Sequence, residues 1–255
     1  MHIREIMKEP IHVDKDQRLS HAIDLFKKHN IARLPVLEGG DLVGIITQRD
    51  IMDKIGYFKE DLKVSTFHIS ACMTKDPYTL SPSDSLESAI TIFRKRKISG
   101  IPIVDEQLVG MVTKLDVIQQ CTYAGNVADC YTPQFVSVSA SERVVHARML
   151  MLRHNERCFP VIDNALEGII TTADVVYELY KFMDLIDKHQ SSLVRNLSVE
   201  EAMNQNPVTT APWVDLEKVK GTMVRDNLST LPVVTEDSEV LGLISKDEMM
   251  QALTV

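Results

Sequence analysis

One short phrase occurs four times in this chain, and it limits the possible folds more than any other feature. It runs Leu34-Pro35-Val36 then Gly44-Ile45-Ile46-Thr47, and Ile101-Pro102-Ile103 then Gly110-Met111-Val112-Thr113. The later copies are Phe159-Pro160-Val161 then Gly168-Ile169-Ile170-Thr171, and Leu231-Pro232-Val233 then Gly242-Leu243-Ile244-Ser245. Each copy reads as a strand, a tight turn, a second strand and a hydroxyl residue that opens a helix. An acid follows the hydroxyl at the third position each time: Asp50, Asp116, Asp174 and Glu248.

The agreement extends upstream. A helix-period apolar triplet precedes each proline: Leu19/Ala22/Phe26, Leu86/Ala89/Phe93, Val144/Ala147/Met151 and Leu216/Val219/Met223. Spacing i, i+3, i+7 puts each triplet on one helix face. Before each helix lies a short extended segment: Pro10–Val13, Pro77–Leu80, Phe135–Val138 and Pro207–Thr210. Each unit therefore reads strand, helix, strand, strand, helix, over about 3–55, 69–121, 127–179 and 199–253. The fold class is α/β (α+β). A lone unit would leave apolar surface exposed, so the units should pair, giving domains at 1–124 and 125–255. The spacer from Gly56 to His68 should loop over the surface. The last helix of unit three should extend through Tyr177, Tyr180 and Ile186 and end near Ser191-Ser192.

Composition narrows the functional classes. A net charge of −8 argues against a general nucleic-acid binder. No run is long and apolar enough for a bilayer span, and Met1-His2-Ile3-Arg4-Glu5 lacks a signal peptide's apolar core, so a cytoplasmic location is expected. Cys72, Cys121, Cys130 and Cys158 fall singly and read as reduced thiols. The histidines have no metal spacing, and nucleophile-elbow and Walker signatures are absent, so the chain does not read as an enzyme.

The Thr-x-x-Asp element carries the chemistry. A helix start offers free N–H groups and partial positive charge to a phosphate, and the hydroxyl adds a donor. An acid one turn on can accept from two ribose hydroxyls. Thr47/Asp50, Thr113/Asp116 and Thr171/Asp174 have this polarity, with Ser245/Glu248 the divergent copy. The same residues also satisfy a helix capping box, worth about 1 kcal/mol with no ligand at all. Arg33 and Arg157, just before the proline strands, can reach phosphate oxygens or stand as solvated edge residues. Lys114 and Lys246, each following a hydroxyl, and Arg49 are further phosphate candidates. The run Arg94-Lys95-Arg96-Lys97 reads as a solvated helix end, or as a phosphate-facing patch.

These motifs resemble the CBS domain, named for cystathionine beta-synthase. The Gly-h-h-Thr/Ser-x-x-Asp ending after h-Pro-h, with a Leu-x-x-Ala helix before it, covers nearly the whole chain. Two tandem CBS domains form a Bateman module, and this chain looks like two. The layout is similar to the gamma subunit of AMP-activated protein kinase and to stand-alone prokaryotic four-CBS proteins. The resemblance implies pseudo-twofold pairing and clefts that bind AMP, ADP, ATP or S-adenosylmethionine. It places adenine between the segment before each proline and the first strand, at His12, Thr79, Ser137 and Thr209. No cofactor is implied as a requirement. The expected partners are an adenine nucleotide or related small molecule, a second copy of the chain, and an unidentified regulated enzyme or transporter. The competing reading is a structural or oligomerisation module with empty clefts. The second half departs more from the pattern: Tyr131 stands where Met7, Met73 and Met203 are found, Phe159 precedes Pro160, and Ala211 replaces Asp14, Ser81 and Ser139.

Overall fold

The computed structural model describes residues 1–55, 67–186 and 196–253. Repeat one comprises β1 (Val13–Asp14), α1 (Leu19–His29), β2 (Arg33–Glu38), β3 (Asp41–Thr47) and α2 (Gln48–Ile55). Repeat two opens with β4 (Thr74–Lys75) and continues through α3 (Leu86–Lys95), β5 (Gly100–Asp105), β6 (Gln107–Thr113) and α4 (Lys114–Gln120). Repeat three contains α5 (Val144–His154), β7 (Cys158–Ile162), β8 (Leu166–Thr171) and α6 (Thr172–Ile186). Repeat four contains α7 (Val199–Ala202), α8 (Leu216–Arg225), β9 (Thr230–Val234), β10 (Val240–Ser245) and α9 (Lys246–Gln251). The long third-repeat helix is present through Ile186. The expected loop around 56–66 and the helix end near Ser191 lie outside the described residues.

The helices form where the apolar period says they should. In α1 the buried positions are Leu19, Ala22, Ile23 and Phe26, one contiguous stripe. The helix stops at Asn30, which adopts a left-handed φ of 49°, and α5 stops the same way at Asn155. The first strands are shorter than the sequence suggests. Repeat one keeps two paired residues, Val13 and Asp14, while the others are reduced to single parallel bridges at Leu80, Val138 and Thr210. Pro102, Pro160 and Pro232 offer their carbonyls to Leu80, Val138 and Thr210, so the missing proline N–H costs no bond to the first strand.

Neighbouring repeats exchange their opening segments. β4, at the start of repeat two, pairs antiparallel with β3 of repeat one, matching Gly44 to Lys75 and Ile45 to Thr74. The reciprocal bridge joins Lys8 to Met111. Repeats three and four do likewise, through Asn204 with Ile169 and Thr132 with Leu243. This exchange explains the glycine of the repeated phrase. A Cβ at Gly44 would lie 2.9 Å from Met73 Sδ, one at Gly110 2.7 Å from Met7 Sδ, and one at Gly242 2.3 Å from the Thr132 carbonyl. The glycine makes room for the incoming neighbour.

Apolar burial follows a second pairing that the sequence did not reveal. One core joins Leu19, Phe26 and Ile46 of repeat one to Val144, Phe159 and Ile170 of repeat three. The other joins Phe93, Ile101 and Val112 of repeat two to Leu216, Leu231 and Ile244 of repeat four. The exchanged segments cross over accordingly: Ile3 and Ile6 pack in the second core, and Ile69 and Cys72 in the first. Cations tie the two halves together at helix ends. Arg148 donates to the Met52 and Asp53 carbonyls at 2.7 and 2.8 Å, and Arg94 to Met250 and Leu253 at 2.8 and 2.6 Å. Arg49 reaches Met151 and Leu152, and Lys220 reaches Cys121. Each places positive charge where the last carbonyls of a helix lack partners.

Candidate functional site

The four helix openings are built alike. The Thr47 N–H and hydroxyl both donate to Asp50 Oδ2, at 2.8 and 2.6 Å, and the Asp50 N–H donates back to the hydroxyl at 3.2 Å. Thr113/Asp116 and Thr171/Asp174 repeat this geometry. In copy four the Ser245 N–H donates to Glu248 Oε2 at 2.8 Å, and the Asp247 N–H donates to Ser245 Oγ at 3.0 Å. The capping box thus forms in every copy and consumes one oxygen of each acid. Burial pushes the Asp50 and Asp174 carboxyls above their ordinary range, against the threonine hydrogen bonds that pull them down.

At three of the four acids a side chain from the exchanged segment of the neighbouring repeat approaches the carboxylate. Lys8 Nζ lies 2.6 Å from Asp116 Oδ1, the Thr132 hydroxyl donates to Glu248 Oε1 at 2.9 Å, and the Thr74 side chain bonds Asp50. Lys8, Thr74, Thr132 and Asn204 occupy equivalent positions, one residue beyond Met7, Met73, Tyr131 and Met203. The methionines align in sequence, and the contacting residue lies one position beyond them. A polar side chain in all four copies was the available signal.

Cations from all four repeats meet between the halves. Lys114 of repeat two is buried, with its side chain 2% exposed, and is ion-paired with Asp247 of repeat four. Arg33 of repeat one feels the charge of Arg157 of repeat three, with Asp116 as counter-charge. Lys246 of repeat four feels Arg33, Arg157 and Lys114 together, and Asp116 against them. Burial first, then these like charges, hold Lys246 down to about 7, and Arg33 is lowered to about 9. Arg157 and Lys114 are lowered too, chiefly by burial, with Asp247 opposing in both cases. Arg33 Nε is buried without a hydrogen-bond partner. Its side chain passes over Gly100, where a Cβ would lie 2.5 Å from Arg33 Cδ. Gly100 holds in repeat two the position that Arg33 holds in repeat one, so a side chain there would displace the arginine.

Several sequence candidates land elsewhere. Neither arginine is a solvated edge residue, because Arg33 and Arg157 are both partly buried in this cluster. Arg49 caps α5, and Arg94 caps α9 rather than facing solvent or phosphate. Arg96 lies over the Tyr78 ring, 4.9 Å from its centroid. His12, Thr79, Ser137 and Thr209 are exposed in all four copies. Thr209 lines a depression of about 300 Å³ beside Lys218 and Thr222, and none of the four cations lines it. Among the described residues no cluster of three or more His, Cys, Asp or Glu can hold a metal ion, and no helix is long and apolar enough to cross a membrane.

The fold and the repeated site define a tandem-repeat protein of α+β units, and the comparisons name the units. The CBS domain model matches residues 3–57, 68–122, 127–181 and 199–255, and the chain belongs to the CBS domain family. The uncharacterized protein MJ1225 of Methanocaldococcus jannaschii is 28% identical over 254 residues, covering 90% of both chains. Its crystal structure, proposed as an archaeal homolog of g-AMPK, matches with a TM-score of 0.90 at 24% identity, over 98% of this chain and 99% of that one. A conserved protein from Pyrococcus horikoshii matches over 100% of both chains at a TM-score of 0.65 and 21% identity. The inosine-5'-monophosphate dehydrogenase of Korarchaeum cryptofilum is 36% identical over 114 residues, 44% of this chain and 22% of that enzyme.

Proposed function

We propose that the protein is a regulatory sensor of adenosine phosphates, organised as two modules at 1–124 and 125–255. The observation that carries this reading is the cluster of Arg33, Lys114, Arg157 and Lys246, contributed by four repeats and only partly neutralised by Asp116 and Asp247. Holding one buried and three partly buried cations against one another is costly, and Arg33 Nε is left without a partner. A polyanion between the halves would relieve both. Acids able to accept a ribose diol sit at the adjoining helix starts, so the ligand class is a nucleoside phosphate. S-adenosylmethionine, which brings no phosphate, fits this centre less well. Because the anion touches both halves, it would bind their closed arrangement more tightly than any opened one, which is the requirement for signalling to an enzyme or transporter partner.

The test is a thermal-shift and calorimetric screen with AMP, ADP, ATP and S-adenosylmethionine. A ligand at a hundred times its dissociation constant should stabilise the fold by about 2.7 kcal/mol. Asp174→Asn keeps an acceptor for the Thr171 N–H, so it should cost at most about 1 kcal/mol of stability. It should nevertheless weaken AMP binding at least tenfold. Absence of binding by all four compounds, or a loss in Asp174→Asn that merely follows stability, would leave the capping boxes as structural and the protein as an interaction module.

A further inference from the structure

The four acids are not equally open. Asp116 Oδ2 is committed to the Thr113 N–H and hydroxyl, so Oδ1 is the oxygen left for a ribose. Lys8 Nζ lies 2.6 Å from that Oδ1, an ion-pair contact by distance, while the oxygen, itself buried, accepts no aligned hydrogen bond. The Asp116 side chain is 4% exposed, whereas Asp50 and Asp174 are only half-buried. The lysine is held in place by its backbone: Lys8 N–H donates to the Met111 carbonyl at 3.0 Å, and Met111 N–H to the Lys8 carbonyl at 2.9 Å. These two bonds fix the side chain's root on β6, three residues before the start of α4. The equivalent residues, Thr74, Thr132 and Asn204, carry no charge.

We infer that Lys8 is a specificity-determining gate, a built-in cation that occupies the ribose-accepting oxygen of Asp116 and closes the repeat-two cleft to nucleosides. The inference rests on the nucleoside-phosphate reading above and concerns which clefts fill. A ribose hydroxyl entering repeat two must displace an ammonium from a buried carboxylate, replacing a charged contact by a neutral one. In repeats one and three a ribose meets a carboxylate with no such cation. The cleft of repeat two therefore stays empty at nucleotide concentrations that fill its neighbours. Lys8 is 71% exposed at its side chain, so its removal leaves no cavity.

The experiment is calorimetric titration of the full chain with ATP and with 2′,3′-dideoxy-ATP, for wild type, Lys8→Ala and Lys8→Arg. Lys8→Ala should gain one ATP equivalent, or tighten its weakest class of sites at least tenfold. Lys8→Arg should behave as wild type, and the dideoxy nucleotide, which lacks the diol, should show no gain in Lys8→Ala. Unchanged ATP stoichiometry and affinity in Lys8→Ala would overturn the gate while leaving the proposed function standing. A lost site in that variant would also overturn it, and would make Lys8 a phosphate ligand instead. A wild-type protein that binds no adenine nucleotide overturns both readings.

Discussion

Lys114 of repeat two and Asp247 of repeat four form an ion pair across the two halves of the chain, and the two partners differ sharply in exposure. The lysine side chain is 2% exposed and the aspartate 62%. Removing the aspartate strands a buried ammonium, whereas removing the lysine leaves a carboxylate that water can solvate. Asp247→Ala should therefore cost more stability than Lys114→Met. Because the acid is exposed and screened, we expect about 1–2 kcal/mol for Asp247→Ala. Urea denaturation of the two variants checks this, and an equal loss in both would show that the pair behaves as a surface bridge.

The arginine caps make a second prediction. Arg148 holds the end of α2 from repeat three, and Arg94 holds the end of α9 from repeat two. Each makes two hydrogen bonds from a charged donor, a class worth about 1.5–3 kcal/mol. Arg94→Ala and Arg148→Ala should each destabilise the chain by about that amount. Hydrogen exchange should quicken at the end of the helix each one caps. Faster exchange confined to the mutated helix would mean that the caps are local rather than ties between halves.

The third prediction concerns pH. Lys246 is held down to about 7 in the folded chain, by burial first and by Arg33 and Arg157 next. An unfolded lysine keeps its proton to about 10.4. Between these values the unfolded chain binds more protons at this residue, so stability rises with pH across that window. Below pH 7 both states are protonated and the burial penalty is fully present. Denaturation midpoints of wild type should thus climb relative to Lys246→Met from pH 7 to 9, and a parallel pair of curves would refute the assignment.

The glycines give a fourth, with its own control. Gly242→Ala places a Cβ 2.3 Å from the Thr132 carbonyl oxygen, a backbone atom that cannot swing away. Overpacking of this kind costs about 1–3 kcal/mol. Gly221, inside α8, has nothing within 4 Å of a built Cβ, so Gly221→Ala should stabilise by roughly 0.5–1 kcal/mol through helix propensity. Thermal denaturation of both variants should move in opposite directions.

The repeat architecture was legible because it depends on local pattern. The i, i+3, i+7 triplets, the proline strands and the hydroxyl-x-x-acid starts each report on a few neighbouring residues, and four copies fixed the unit and its order. The candidate site was legible in part. Arg33, Lys114, Arg157 and the Thr/Asp pairs could be named from helix-start chemistry, but their convergence could not. The first strands shrank to single bridges in three repeats, because the extent of pairing is set by the partner strand and not by the extended segment itself.

The sequence by itself therefore determined the unit, the number of copies and the residue types at each helix opening. Tertiary structure alone decided three other matters. It exchanged the opening segments between neighbours, so that Lys8 meets Asp116, more than a hundred residues away in sequence. It paired repeat one with three and two with four in the buried cores. It also set Arg33, Lys114, Arg157 and Lys246 against one another. The reason is physical. Periodicity reports which face of an element is apolar, but not which other face will cover it, and the charges of distant repeats interact only after that choice is made.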